Sequence, residues 1–107
     1  MIDDRMIEKM IKRELRKANT IHRETFASMH EGESVIREEI EEALDDIVRM
    51  KVRHNWLWAS VKDRNERVSH RAVEKIRVYA IEAIKELIQV AAMCDKFKDS
   101  FEEVSNE

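Results

Sequence analysis

Apolar side chains recur every third or fourth residue along most of this chain, the spacing of one buried face of an α-helix. Ile7, Met10 or Ile11, Leu15 and Ala18 form the first such stripe. They predict a helix from about Asp3 to about Ala18, with Asp3 or Asp4 accepting from its first amides. Asn19, Thr20, Thr25 and Ser28 then interrupt the pattern and predict a loop or short turn up to Met29. Ser28, with Glu31 three residues on, has the form of a capping box. A second helix is expected from Met29 or His30, with Val35, Ile36, Ile40, Ala43, Leu44 and Ile47 as its buried stripe. Trp56, Leu57, Trp58 and Val61 make a further apolar cluster near its far end. The next strong stop is Lys62–Asn65, so this helix spans roughly 30 residues and about 50 Å, with a break near Lys51–Asn55 as the alternative. A third helix is expected from near Glu66 to about Lys98. Val68, Ala72, Val73, Ile76, Ala80, Ile84, Leu87, Ala91, Cys94 and Phe97 lie on its main face. Residues 99–107 read as an acidic tail, giving one domain over 1–107 with its core at about 3–98.

One stretch departs from simple amphipathicity. Leu87-Ile88-Gln89-Val90-Ala91-Ala92-Met93-Cys94 is apolar on every side of a helix except at Gln89. Such a helix wants burial on all sides, and a chain of 107 residues has few elements to cover it. The expectation is an antiparallel bundle: a long helical hairpin plus the N-terminal helix, completed by a second copy as a homodimer or homotetramer. Cys94 then reads as a small core residue.

Composition fixes the class. There is one glycine, Gly32, and no proline, so the tight turns of a sheet protein have no supply; the fold is all-α. Charged residues make up 40% of the chain, but their signs nearly cancel, to −3. That argues against a nucleic-acid polymer as partner, which calls for a basic excess. A single cysteine excludes an internal disulfide. No apolar run approaches the ~20 residues of a membrane span, and Met1-Ile2-Asp3-Asp4 lacks the order of a signal peptide. A cytoplasmic protein with no membrane partner is expected.

Folding the second and third helices about Arg64-Asn65 brings candidate chemistry together. Glu42 lies about 22 residues before the turn and Glu86 about 22 after it, each roughly 33 Å away along its helix. Glu38, Glu39 and Glu42 thus come alongside Glu86 and Gln89. Glu38 and Glu42 share a face at a spacing of four, and Glu39 projects between Val35 and Ala43. Carboxylates gathered at a helix interface repel one another unless a cation neutralises them. An oxygen-only donor set suits a hard divalent ion, Mg²⁺ or Mn²⁺. The histidines, His22, His30, His54 and His70, fall at no ligand spacing.

These residues resemble a known family. Glu38-Glu39-Ile40-Glu41-Glu42 matches the Glu-Glu-x-x-Glu motif of the MazG-like all-α nucleoside triphosphate pyrophosphohydrolases, and Glu86-Leu87-Ile88-Gln89 falls where they carry Glu-x-x-Asp. The His30–Glu39 and Glu86–Met93 segments are similar to those of short MazG-like proteins of phages and prophages. The match covers about two thirds of the chain. It departs in a longer gap between motifs and in Gln89 at the Asp position. The resemblance implies hydrolysis of a nucleoside or deoxynucleoside triphosphate to the monophosphate and pyrophosphate, a reaction that would clear unwanted nucleotides. It implies Glu38, Glu42 and Glu86 as metal ligands with Gln89 as a weak fourth, and Glu39 as a metal ligand or the residue activating water. Arg37, Lys85 and the basic residues of the first helix become phosphate contacts, and His30 and Phe26 nucleotide contacts. Two alternatives stand beside this reading. One is a catalytically weakened relative that binds nucleotide or protein, motivated by Gln89; the other is a purely structural bundle.

Overall fold

The structure, a computed structural model, describes residues 1–101; the segment 102–107, within the expected acidic tail, lies outside the described residues. These residues form three helices and no strand: α1 (Asp4–Ile21), α2 (Met29–Lys62) and α3 (Glu66–Ser100). The helix starts follow the capping chemistry. Asp3 accepts from the Met6 amide at 3.0 Å, Ser28 Oγ from the Glu31 amide at 3.1 Å, and Asn65 Oδ1 from the Val68 amide at 3.1 Å. The Glu31 carboxylate reaches back to the Ala27 amide at 3.4 Å rather than to Ser28 itself. α1 runs a turn past its expected end, and α2 is unbroken through Lys51–Asn55. None of the described helices is long and apolar enough to cross a membrane.

The chain divides into two compact units, one made of residues 1–40 with the chain from Leu87 onward, the other of Glu41–Glu86. The first unit has a conventional core. Ile11, Phe26, Ala92 and Met93 are buried, with Leu15, Ala18, Val35, Ile36, Ile88 and Phe97 packed around them. Burying a side chain such as Ile11 or Phe26 contributes about 1.5–3 kcal/mol. The irregular segment after α1 is tied down where the Phe26 amide donates to Ser100 Oγ at 2.9 Å. Gly32 lets α2 approach α3 closely: a Cβ there would lie 2.5 Å from the Phe97 ring and 3.0 Å from Phe26. Alanine gains about 1 kcal/mol in helix propensity, but overpacking costs about 1–3 kcal/mol. Gly32→Ala is therefore expected to lower the melting temperature, and Gly32→Val to lower it further; an unchanged or raised Tm for both would show that the contact is soft.

The second unit is a helical hairpin with the opposite distribution. Its buried residues are small or polar: Ala43, Asp46, Ser60, Ala72 and Ala83. Its turn is closed by Asn65 N donating to the Ser60 carbonyl at 2.8 Å, with Arg64 in the left-handed region at φ 54°. Ser60 and Ser69 hydroxyls meet at 2.7 Å below it. The large apolar side chains point outward, among them Leu44 (53% exposed), Val52, Trp56, Trp58 (60%), Val73 and Ile84 (54%). The stripe expected to be buried at Leu44, Ile47, Val68, Val73 and Ile84 is thus the open side. Small residues let two helices come close, and the bulky ones then have no room between them.

The Leu87–Cys94 run is covered along most of its surface and open at its two end residues. Ala92 is fully buried and Met93 nearly so, while Leu87 is 51% exposed and Cys94 is exposed. Cys94 is not a core residue of the single chain. Val73, Ile84, Leu87 and Cys94 fall at intervals of eleven, three and seven residues, so they share one side of α3.

Candidate metal centre and cavity

Three carboxylates of the motif segments come together. Glu39, Glu42 and Glu86 each offer an oxygen within 4.8 Å of the others. Helical geometry explains both relations. Glu39 and Glu42 are three apart on α2 and therefore neighbours on its surface, and Glu42 and Glu86 face each other across the hairpin of the second unit. Glu39 lies between Val35 and Ala43 in projection, and it and Glu86 are half-buried while Glu42 is exposed. In six-fold coordination at about 2.1 Å, neighbouring oxygens lie roughly 3 Å apart and opposite ones about 4.2 Å. The triad's oxygens lie within 4.8 Å of one another, a limit just above that spacing. All three donors are hard oxygens, which fits Mg²⁺ or Mn²⁺ and not a softer metal.

The other residues singled out from the sequence lie elsewhere. Glu38 is exposed and outside the triad. Gln89 turns to α1, where its Nε2 donates to Glu14 Oε1 at 3.0 Å. Arg37 pairs with Glu33 at 3.2 Å, both well exposed, and exposed Lys85 with half-buried Glu82 at 3.2 Å. His30 is exposed. Phe26 is buried, and the Lys96 ammonium rests 4.8 Å from its ring centroid.

Within the first unit lies a cavity of about 850 Å³, of the size that takes small-molecule ligands. Its wall includes Glu14, Lys17, Arg23, Phe26, Glu39, Gln89, Met93 and Lys96. Glu39 thus belongs to the triad and to the cavity wall. Glu14 and Lys96 are among the wall residues not anticipated from the sequence. Glu14 gave no signal, because nothing in α1 marks one glutamate from another. Lys96 did: it continues the Gln89–Met93 side of α3 at spacings of four and three, beside the apolar stripe through Cys94 and Phe97.

No protein-family model, curated protein or solved structure matches this chain. The likeness to MazG-like enzymes accordingly rests on the motif segments themselves.

Proposed function

We propose that this chain is a divalent-metal-dependent nucleoside triphosphate pyrophosphohydrolase, with Glu39, Glu42 and Glu86 holding the ion and the first unit's cavity taking the nucleotide. The observation that carries this reading is the approach of three carboxylates from two motif segments 44 residues apart (Glu42 to Glu86) to within 4.8 Å. When bound, Mg²⁺ or Mn²⁺ supplies screening of the triphosphate charge and stabilises charge developing on the leaving pyrophosphate. Glu42 and Glu86 would hold the ion from the two helices of the second unit. Glu39, on the cavity wall, is placed to orient or deprotonate a water directed at the bound phosphate chain. Gln89 fixes Glu14, and with it the α1 side of the cavity.

The active form is an assembly of two or four copies. The second unit exposes Leu44, Trp58 and Ile84 while burying alanine and serine, so its bulky apolar face is the surface a second copy would cover. The protein incubated with a panel of ribo- and deoxyribonucleoside triphosphates and Mg²⁺ or Mn²⁺ is expected to release pyrophosphate from at least one. Release from none, with the protein folded, contradicts the reading.

A weakened, nucleotide-binding relative is the second reading, and the Gln89–Glu14 hydrogen bond favours it, since that amide is engaged away from the triad. Gln89→Asp separates the two. Hydrolysis by the unaltered chain supports the first reading, and hydrolysis only by the variant supports the second. In either case the variant is expected to lose about 1–3 kcal/mol of stability, because a charge-assisted hydrogen bond gives way to two facing carboxylates.

A further inference from the structure

We propose that Lys96 reads the nucleobase, donating from its ammonium to a keto oxygen, so that the cavity selects uracil, thymine and guanine over cytosine and adenine. This rests on the proposed function, which puts the phosphates at the Glu39 end of the cavity.

Lys96 is an unusual wall residue. It is 5% exposed, lines the cavity, and takes part in none of the ion pairs found among the described residues. Its charge rests on the Phe26 ring, and a cation–π contact offsets only part of what desolvating a charge costs. A bound acceptor would make up the difference. Of the other cations on the wall, Arg23 is held by Glu31 at 3.3 Å and Lys17 is exposed.

Its position decides which part of a nucleotide it meets. Gly32 faces Phe97, so on two antiparallel helices Glu39, seven residues on, comes level with Val90, seven residues back. Lys96 is six residues from Val90, about 9 Å along α3. That is about the reach from a nucleotide's phosphate, across its sugar, to the base edge away from the sugar. Uracil and thymine carry O4 at that edge and guanine O6, all acceptors; cytosine and adenine carry amino groups. An ammonium has donors only, so an amino group there meets donor against donor. Sites built to hydrogen-bond a group discriminate strongly against analogues that lack it.

Calorimetric titration of dUMP, dGMP, dCMP and dAMP into the full chain with Mg²⁺ tests this without requiring turnover. The unaltered protein is expected to bind dUMP and dGMP at least about tenfold more tightly than dCMP and dAMP. Lys96→Gln supplies an amide that both donates and accepts and is expected to bring the four ligands level, chiefly by strengthening dCMP and dAMP. Equal affinities in the unaltered protein, no binding of any ligand, or a variant that weakens all four by one factor would overturn the assignment. The unaltered protein's panel decides even if the variant fails to fold. Parallel pyrophosphate assays on the triphosphates separate this outcome from failure of the hydrolase itself.

Discussion

Glu42→Gln is expected to lower pyrophosphate release about 10³-fold while leaving the helical content intact. Glutamine keeps the shape and one oxygen but removes the charge, and a hard divalent ion held by three side chains depends on charge count for its affinity. A thousandfold loss corresponds to about 4 kcal/mol at the transition state, within what an ion supplies through several phosphoryl oxygens. Glu39→Gln and Glu86→Gln are expected to fall in the same range, because the three act as one site. Stability gives a readout of opposite sign. Without added metal, each variant relieves repulsion among the gathered carboxylates and is expected to melt higher than the unaltered chain. Adding Mn²⁺ at about 100 times its Kd stabilises a binding protein by about 2.7 kcal/mol, and the variants are expected to lose most of that gain. A lower metal-free Tm in all three would mean that these side chains serve packing.

Leu44→Asp combined with Ile84→Asp is expected to convert an oligomer of the 12.8 kDa chain to single chains. Stable subunit interfaces bury about 1,200–2,000 Å² in total, and the outward side chains of the second unit, with both tryptophans among them, are the kind that anchor such contacts. Each apolar-to-carboxylate change at a buried contact costs several kcal/mol. The hairpin alone keeps only alanine, serine and aspartate inside, so its helicity is expected to fall together with the assembly. Lys75→Ala, at an exposed polar position, is the control and should leave the mass unchanged. Sedimentation of the unaltered protein as a single chain would contradict the proposed assembly outright.

The helices were legible in the sequence because their boundaries are local chemistry. Asp3, Ser28 and Asn65 mark the starts, and the absence of proline lets α2 and α3 run on. The meeting of Glu42 with Glu86 was also legible, since it needs only the position of the turn and the rise of a helix. The facing of the hairpin was not. Leu44 and Ile84 recur at core spacing, but so do Ala43 and Ala83 one residue earlier. Periodicity alone does not say which of two adjacent stripes faces the partner helix and which faces a second copy. The same one-residue ambiguity hid Lys96 and made Cys94 look buried. Glu38 and Glu39 posed the identical problem: Glu38, the ligand expected from the motif, is exposed and outside the triad, and its neighbour Glu39 stands there instead. The bond from Gln89 to Glu14 joins residues 75 apart and leaves no trace in either local pattern.

The proposed chemistry requires the Glu38–Glu42 segment and Glu86 to share one ion. A crystal of the protein soaked in Mn²⁺ tests it directly through anomalous scattering. A peak is expected about 2.1–2.3 Å from oxygens of Glu39, Glu42 and Glu86. A map with no peak there at millimolar Mn²⁺, or with Mn²⁺ bound only at other carboxylates, would contradict it.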